Sequence, residues 1–280
     1  MAPDYPLSQW CAALGVSRAG YYAWRERAPS VRSRANARLL EEIQNLRQGQ
    51  EVCYGSPRMT EELKERGYTC SENRVARLMR AHGLQAQVRP RWVPRTTESD
   101  HDEPIAPNRL AQRAAPDGPN QVWLQDITDV PTGQGWLYLA LVLDRWSRKI
   151  AGWAMADHLR SELVVSALQM AQTQRRPGRG LLVHSDRGVQ YASRETRASL
   201  EDHGWQASMS RAGNPYDNAW MESAIGKLKS EVLGRSVPAD HATARQQLFA
   251  GIECWYNQRR RHSALNYQSP VAFETQSMNN

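Results

Sequence analysis

Hydrophobic positions change period along this 280-residue chain. Through residue 87 they recur every three or four residues, the spacing of helices buried on one face. The stretch LSQWCAALGVSRAGYYAWRER predicts two short helices around Gly15-Val16-Ser17, with Ser17 placed to cap the second. Leu39, Leu40, Ile43 and Leu46 predict a helix over 36–48. PRMTEELKERG and SENRVARLMRAHG predict a helix pair parted at Gly67-Tyr68, with Ser71 as a cap and Val75, Leu78 and Met79 facing the partner helix. From about 88 to 119 the period vanishes, and Pro90, Pro94, Pro104, Pro107, Pro116 and Pro119 mark a linker or an arm extended along another domain. After Gln121 the pattern shortens to strands: QVWLQDITDV, GWLYLALVLD and KIAGWAMA, separated by turn signals at PTGQG and RWSR. The helix SELVVSALQMAQTQ, the strand LLVHSD, a helix over 193–202, the short strand QASMSR and helices over 217–233 and 242–258 complete the order.

This order predicts an α/β protein preceded by an all-α region. A three-stranded meander followed by helix, strand, helix, strand and helix is the order of an RNase H-like core, a mixed five-stranded sheet with helices. The expected division is a helical region over 1–87, a Pro-rich linker over 88–119 and the core with its C-terminal helices over 120–280. Two helices joined by a short Gly-containing turn match a helix-turn-helix, whose second helix enters the major groove of DNA. Arg74, Arg77 and Arg80 recur on a second face of that helix, as DNA contacts or as the solvated face of a structural bundle.

Charge sharpens the first alternative. The formal net charge is +7 and the pI about 9.4. Residues 1–100 hold 16 Lys/Arg against 11 Asp/Glu, while 101–280 hold 20 against 18, so the basic excess sits with the helices. Cys11, Cys53, Cys70 and Cys254 form no CxxC pair, which argues against a zinc site. MAPDYPLSQW lacks the charged start and apolar core of a signal peptide, and no apolar run approaches the roughly 18 residues of a membrane helix. The expected setting is the reducing cytoplasm, with no membrane partner.

The candidate chemistry lies in three carboxylates: Asp126 in WLQDITDV, Asp186 in HSDRG and Glu222 in DNAWMES. Sixty positions separate the first two, and 35 residues lie between the second and third. Val122, Leu124, Asp126 and Thr128 share one strand face, so Asp126 falls among apolar neighbours, where a bound cation would offset the cost of burying its charge. Asp129 is on the opposite face and is the weaker candidate. Asp186 ends the strand LLVHSD, at the carboxyl end where ligands gather in open sheets. Glu222 and Lys229, seven apart on a helix, share a face, so Lys229 would reach a phosphate or terminal base of bound DNA. His184 reads as a satisfied strand histidine and Trp220 as a packing anchor, while Arg259, Arg260, Arg261 and His262 form either a solvated cluster or a phosphate-binding strip. No Ser-His-Asp set is evident, nor a GxxxxGK loop followed by Ser or Thr. Three carboxylates suit Mg²⁺ or Mn²⁺, and two such ions can drive an in-line displacement at a phosphodiester without a protein nucleophile.

These residues resemble a known family. LGVSRAGYYAW, YGSPRMTEELKERGY, NRVARLMRAHGL, DITDVPTGQGWLYLALVLDRWSRKIAGW, HSDRGVQY, SMSRAGNPYDNAWMESAIGKLKSE and YNQRRRHSALNYQSP look like motifs of the transposases of insertion-sequence family three, the OrfB-type product of the second reading frame. The resemblance spans essentially the whole chain. It implies a DDE-type polynucleotidyl transferase that nicks the ends of an insertion element and joins the 3′-hydroxyl to DNA. It also implies Asp126, Asp186 and Glu222 as the catalytic and metal-binding triad, with two Mg²⁺ (or Mn²⁺) ions, and Lys229 as a DNA contact. The implied partners are double-stranded DNA, both element ends and target, and an upstream-frame (OrfA-type) product, often fused by frameshifting. Assembly as a homo-oligomer on DNA is expected from the handling of two ends. Gln125 stands where threonine is usual and Val189 where serine is usual, and neither change removes a ligand. A DNA-binding regulator derived from such an enzyme, and a nuclease that hydrolyses without joining, are the rival readings.

Overall fold

The computed structural model describes residues 6–86, 103–211, 215–234 and 236–279; the expected linker's opening stretch, 88–102, lies outside them. Among the described residues five α-helices build the amino-terminal region: α1 (Leu7–Ala13), α2 (Arg18–Arg25), α3 (Val31–Leu46), α4 (Ser56–Glu65) and α5 (Glu72–Ala81). The two serine caps form as expected, Ser17 Oγ accepting from Gly20 N at 3.0 Å and Ser71 Oγ from Arg74 N at 3.4 Å. Helix α3 starts at Val31 rather than at 36, because Ser30 caps it by accepting from Ser33 N at 3.1 Å. Its first turns carry no buried side chain, so no apolar period marks them. Leu39, Ile43, Met59, Leu63, Val75 and Met79 close the core of α3, α4 and α5. Trp255, from far down the chain, packs into that same cluster.

The second half is a five-stranded mixed sheet ordered β3-β2-β1-β4-β5. Its strands are β1 (Val122–Thr132), β2 (Gly135–Asp144), β3 (Ile150–Ala156), β4 (Leu182–Ser185) and β5 (Gln206–Met209). The first three form an antiparallel meander, and β4 and β5 add in parallel beside β1. Helix α6 (Ser161–Arg175) forms where SELVVSALQMAQTQ predicts it, before β4, and α8 (Arg194–Asp202) forms where a helix over 193–202 is expected; the short α7 (Val189–Ala192) between β4 and α8 is additional. Then come α9 (Ala219–Glu231), α10 (His241–Ala250) running on as a π-helical turn over Gly251–Tyr256, and α11 (Pro270–Met278). The last helix is absent from the periodicity reading; Ser269 caps it by accepting from Ala272 N at 3.3 Å, with Pro270 in its first turn.

Alternation along β1 explains the layers. Val122, Leu124 and Val130 bury against α9 and α10, with Met221, Ala224, Leu228 and Leu248. Trp123, on the other face, buries against α6 and α8 with Leu163, Val164, Leu168 and Leu200. Gly152 lets α6 lie close on β3, since a Cβ there would meet the backbone of Ala167 and stand 2.6 Å from Ala171 N. The described part of the proline-rich segment lies along the core: Arg109 N and Leu110 N donate to Ser208 Oγ at 3.0 and 3.2 Å.

Candidate active site

Strand register brings the first two carboxylates together. In the parallel pairing of β1 and β4, Leu124 stands opposite His184, so two residues further along Asp126 stands beside Asp186. This pairing converts a spacing of sixty positions into adjacency. Both line one groove of about 190 Å³, with Asp129, Tyr138, Gln190 and Tyr191 around them. Asp126 Oδ1 accepts from Ile127 N at 2.8 Å, and Asp186 Oδ1 accepts from Gly188 N at 2.9 Å in the turn after β4. Burial first, then the Asp186 carboxylate and, more weakly, Glu222, push the pKa of Asp126 well above the ordinary carboxylate value. A cation between the two aspartates would relieve both causes, and the all-oxygen donor set fits a hard divalent ion.

Glu222 comes from helix α9, which packs on the sheet beside β1. The start of α9 is pinned to β1 by Asn218, whose Nδ2 donates to the Gln125 carbonyl at 3.4 Å, one residue before Asp126. Glu222 lies in the first turn of α9, open to solvent, and is not on the wall of the groove. Partial desolvation alone raises its pKa. Among the described residues no three His, Cys, Asp or Glu side chains close on a single metal position. The sequence-derived trio is therefore a groove-lining pair with its third member beside it, as repulsion among three carboxylates favours.

Lys229 shares the Glu222 side of α9, and its Nζ stands 3.3 Å from Asp129 Oδ1. Asp129 thus acquires a role that strand alternation does not indicate: it holds the lysine expected to meet DNA. Tyr191, four per cent exposed, is the residue that sequence reading missed. Among the described residues its hydroxyl has no hydrogen-bond partner, and burial together with Asp126 and Asp186 keeps its proton on. The only sequence signal was its place in HSDRGVQY.

Other expectations resolve plainly. His184 is fully buried, its ring nitrogens 2.9 Å from Ser208 Oγ and 3.1 Å from Ser210 Oγ, and burial lowers its pKa to about 4; it is the satisfied strand histidine expected. The Arg259–Arg261 run is neither a solvated cluster nor an open strip. Arg260 is buried and forks onto Glu231 at 2.6 and 2.7 Å, while Arg261 bonds Glu62 at 2.8 Å and also Glu65, tying α4 to the core. Trp220 is not a packing anchor: it is 40% exposed, with the Arg148 guanidinium over its ring at 3.3 Å. On α5, Arg77 and Arg80 are open to solvent, whereas Arg74 is half-buried and donates to Asn36 Oδ1 at 2.8 Å.

Comparison with known proteins agrees with this architecture. Residues 116–215 and 203–270 match models described as integrase core domain, and 34–92 match an HTH-like domain. A 31 kDa protein of insertion element IS600 from Shigella sonnei is 42% identical over 94% of this chain and 96% of its own length. The transposase InsF for insertion sequence IS3A from Escherichia coli K12 is 37% identical over 98% of this chain and 96% of its own. Among solved structures, the catalytic core of BIV integrase aligns over 57% of this chain and 97% of its own, at 13% identity and a TM-score of 0.44.

Proposed function

The chain belongs to the insertion-sequence family three transposases, DDE-type polynucleotidyl transferases that act in DNA transposition and integration, and on that premise we propose that Asp126, Asp186 and Glu222 are the carboxylates at which its phosphodiester chemistry occurs. The observation that carries this reading is the β1/β4 register, which sets two acidic side chains side by side in one groove next to the helix that bears the third.

Asp126 and Asp186 would hold a divalent cation from the strands and Glu222 a second contact from α9. When bound, two Mg²⁺ or Mn²⁺ ions supply activation of the attacking oxygen and stabilisation of the leaving one. The rest falls to the chain itself. Rigid strands fix the two aspartates, and Asn218 holds the start of α9 at the strand that carries Asp126. Lys229 exchanges Asp129 for a DNA phosphate and so aligns the strand to be cut. Tyr191 keeps its proton and offers a hydroxyl donor beside the reacting groups. Arg77 and Arg80, with Arg74 behind them, would lie against the DNA backbone from α5, the second helix of the helix-turn-helix. The upstream-frame product, as a fusion, and a homo-oligomer on paired element ends belong to the same proposal and rest on the family alone. So does a cytoplasmic setting; among the described residues no helix is long and apolar enough to cross a membrane.

The test incubates the chain with Mg²⁺ and labelled DNA carrying the element's ends, with and without the upstream product, beside Glu222→Gln. Nicked and joined products in the wild type, absent in the variant, are expected. Hydrolysis without joining would assign a nuclease, and DNA binding without cleavage, equal in both proteins, would make the chain a regulator.

A further inference from the structure

Helix α9 has a second functional side. Its buried stripe, Met221, Ala224 and Leu228, faces the sheet, with Glu222 and Lys229 on one flank. On the other flank Trp220, Ser223 and Lys227, at helical spacing, open onto a separate pocket of about 220 Å³. Four elements converge there: α4 through Arg58, the β2–β3 turn through Arg148, α9 through Trp220 and Lys227, and the C-terminal segment through Arg260 and His262.

The charge in this pocket is not balanced. Glu231 neutralises Arg260, but among the described residues no carboxylate forms a salt bridge with Arg58, Arg148 or Lys227. The Lys227 ammonium donates to the Ser223 hydroxyl at 2.6 Å, and the Arg58 and Arg148 guanidinium groups lie over the rings of Tyr54 and Trp220. Among the described residues two buried polar atoms here have no hydrogen-bond partner, Arg58 Nε and Nε2 of His262, a residue only 5% exposed. Unpartnered buried polar atoms and several like charges are costly together, and a bound anion that pairs with the Arg58 Nε–H offsets both costs. Arg148 adds strain, since it holds a left-handed φ of 62° that ordinarily suits Gly or Asn. Burial pulls Lys227 down to about 8, with the neighbouring Arg260 and Arg58 acting in the same direction, and Arg148 down to about 10.

We propose that this pocket is a phosphate-binding site, separate from the carboxylate groove, in which Arg58, Arg148, Lys227 and His262 receive one phosphate group. Planar guanidinium forks from two directions match phosphate oxygens. The volume decides the size of the guest: it lies below the roughly 300–1,000 Å³ of small-molecule pockets, so a single phosphate fits where a whole nucleotide does not. That group comes either from the backbone of a DNA strand or from free phosphate. The site stands independently of the roles given to Asp126, Asp186 and Glu222.

The test titrates inorganic phosphate into the full chain by calorimetry and follows its thermal melt, with chloride at matched ionic strength as the control. Saturable one-site binding is expected in the wild type, weakened roughly tenfold or more in both Arg148→Gln and Lys227→Gln. Binding of a 30-base-pair duplex is then followed against salt. If the pocket takes a strand phosphate, Lys227→Gln lowers the slope of log affinity against log salt by about one, and the duplex displaces inorganic phosphate. An unchanged slope with weakened phosphate binding assigns the site to free phosphate. Wild type that responds to phosphate no more than to chloride overturns the proposal, whether or not the variants fold. Phosphate binding needs no cleavage, so Glu222→Gln leaves it intact and the two readings fail separately.

Discussion

Replacing Glu231 by Gln tests how the catalytic helix is held. Glu231 ends α9, and its carboxylate receives the Arg260 fork at 2.6 and 2.7 Å and the Trp255 indole N–H at 3.1 Å. Burial alone would raise the pKa of Glu231, but the Arg260 guanidinium overrides it and holds the carboxyl below its usual range. The substitution keeps the shape and removes the charge, leaving Arg260, 1% exposed, without a counter-ion beside Arg58 and Lys227. Breaking a buried pair from one side costs about 3–5 kcal/mol, against a total stability of about 5–15 kcal/mol. At about 2–4 °C per kcal/mol for chains of this size, a circular-dichroism melt at pH 7 should fall by roughly 6–20 °C. Joining activity should fall with it, because the far end of the helix that carries Glu222 loses its anchor. The double variant Glu231→Leu, Arg260→Met separates the causes: removing both charges should recover most of the loss. A single variant that melts within about 2 °C of wild type, or a double variant no better than the single, would refute the reasoning.

Asp126→Asn should abolish joining yet raise the melting temperature in EDTA. The folded pKa is raised, so folding favours the protonated form, and the ionised carboxylate lowers stability as pH rises through that pKa. Mg²⁺ at a hundredfold excess over its Kd should stabilise wild type by about 2.7 kcal/mol and the variant far less; equal gains would remove Asp126 from the metal site. Asp129→Asn removes the carboxylate that stands 3.3 Å from Lys229 Nζ and should tighten duplex binding by up to roughly fivefold, the worth of a partly exposed pair; weaker binding in a fluorescence-anisotropy titration would reverse the sign of the argument. His184, its folded pKa lowered to about 4, contributes stability that is complete above the ordinary 6.5 and lost as pH falls through that window. The unfolding free energy of wild type from urea titrations should therefore drop between pH 6.5 and 4 by about 1.4 kcal/mol per unit more than that of His184→Gln, and parallel curves would count against it.

Much of the fold is legible because local pattern and final environment agree. In β1 the two-residue alternation places Val122 and Leu124 in one core and Trp123 in the other. Serine caps at 17 and 71 act within three residues, so sequence alone suffices to find them. The caps that escape notice, Ser30 and Ser269, precede helices whose first turns carry little apolar period. The expected helix over 242–258 shows another limit: its apolar residues continue, but after Ala250 the backbone widens to a π-helical turn that buries Ile252, Trp255 and Tyr256 at once.

The candidate site divides along the same line. The positions of Asp126 and Asp186 follow from strand edges, and adjacency of parallel strands then needs only register. What three arginines in a row do is not a local matter. Written side by side, Arg259, Arg260 and Arg261 read as one solvated cluster or one phosphate-binding strip, but each leaves the backbone in its own direction: Arg259 to solvent, Arg260 to Glu231, Arg261 to Glu62 and Glu65. Those acids lie 29 to 199 residues away in sequence and come from α9 and α4. Seven-residue spacing likewise shows that Glu222 and Lys229 share a side of α9, yet says nothing of what lies across from Trp220 and Lys227. There α4, a turn and the C-terminal segment deliver their cations to one place, and only the tertiary fold sets like charges close enough to require a ligand.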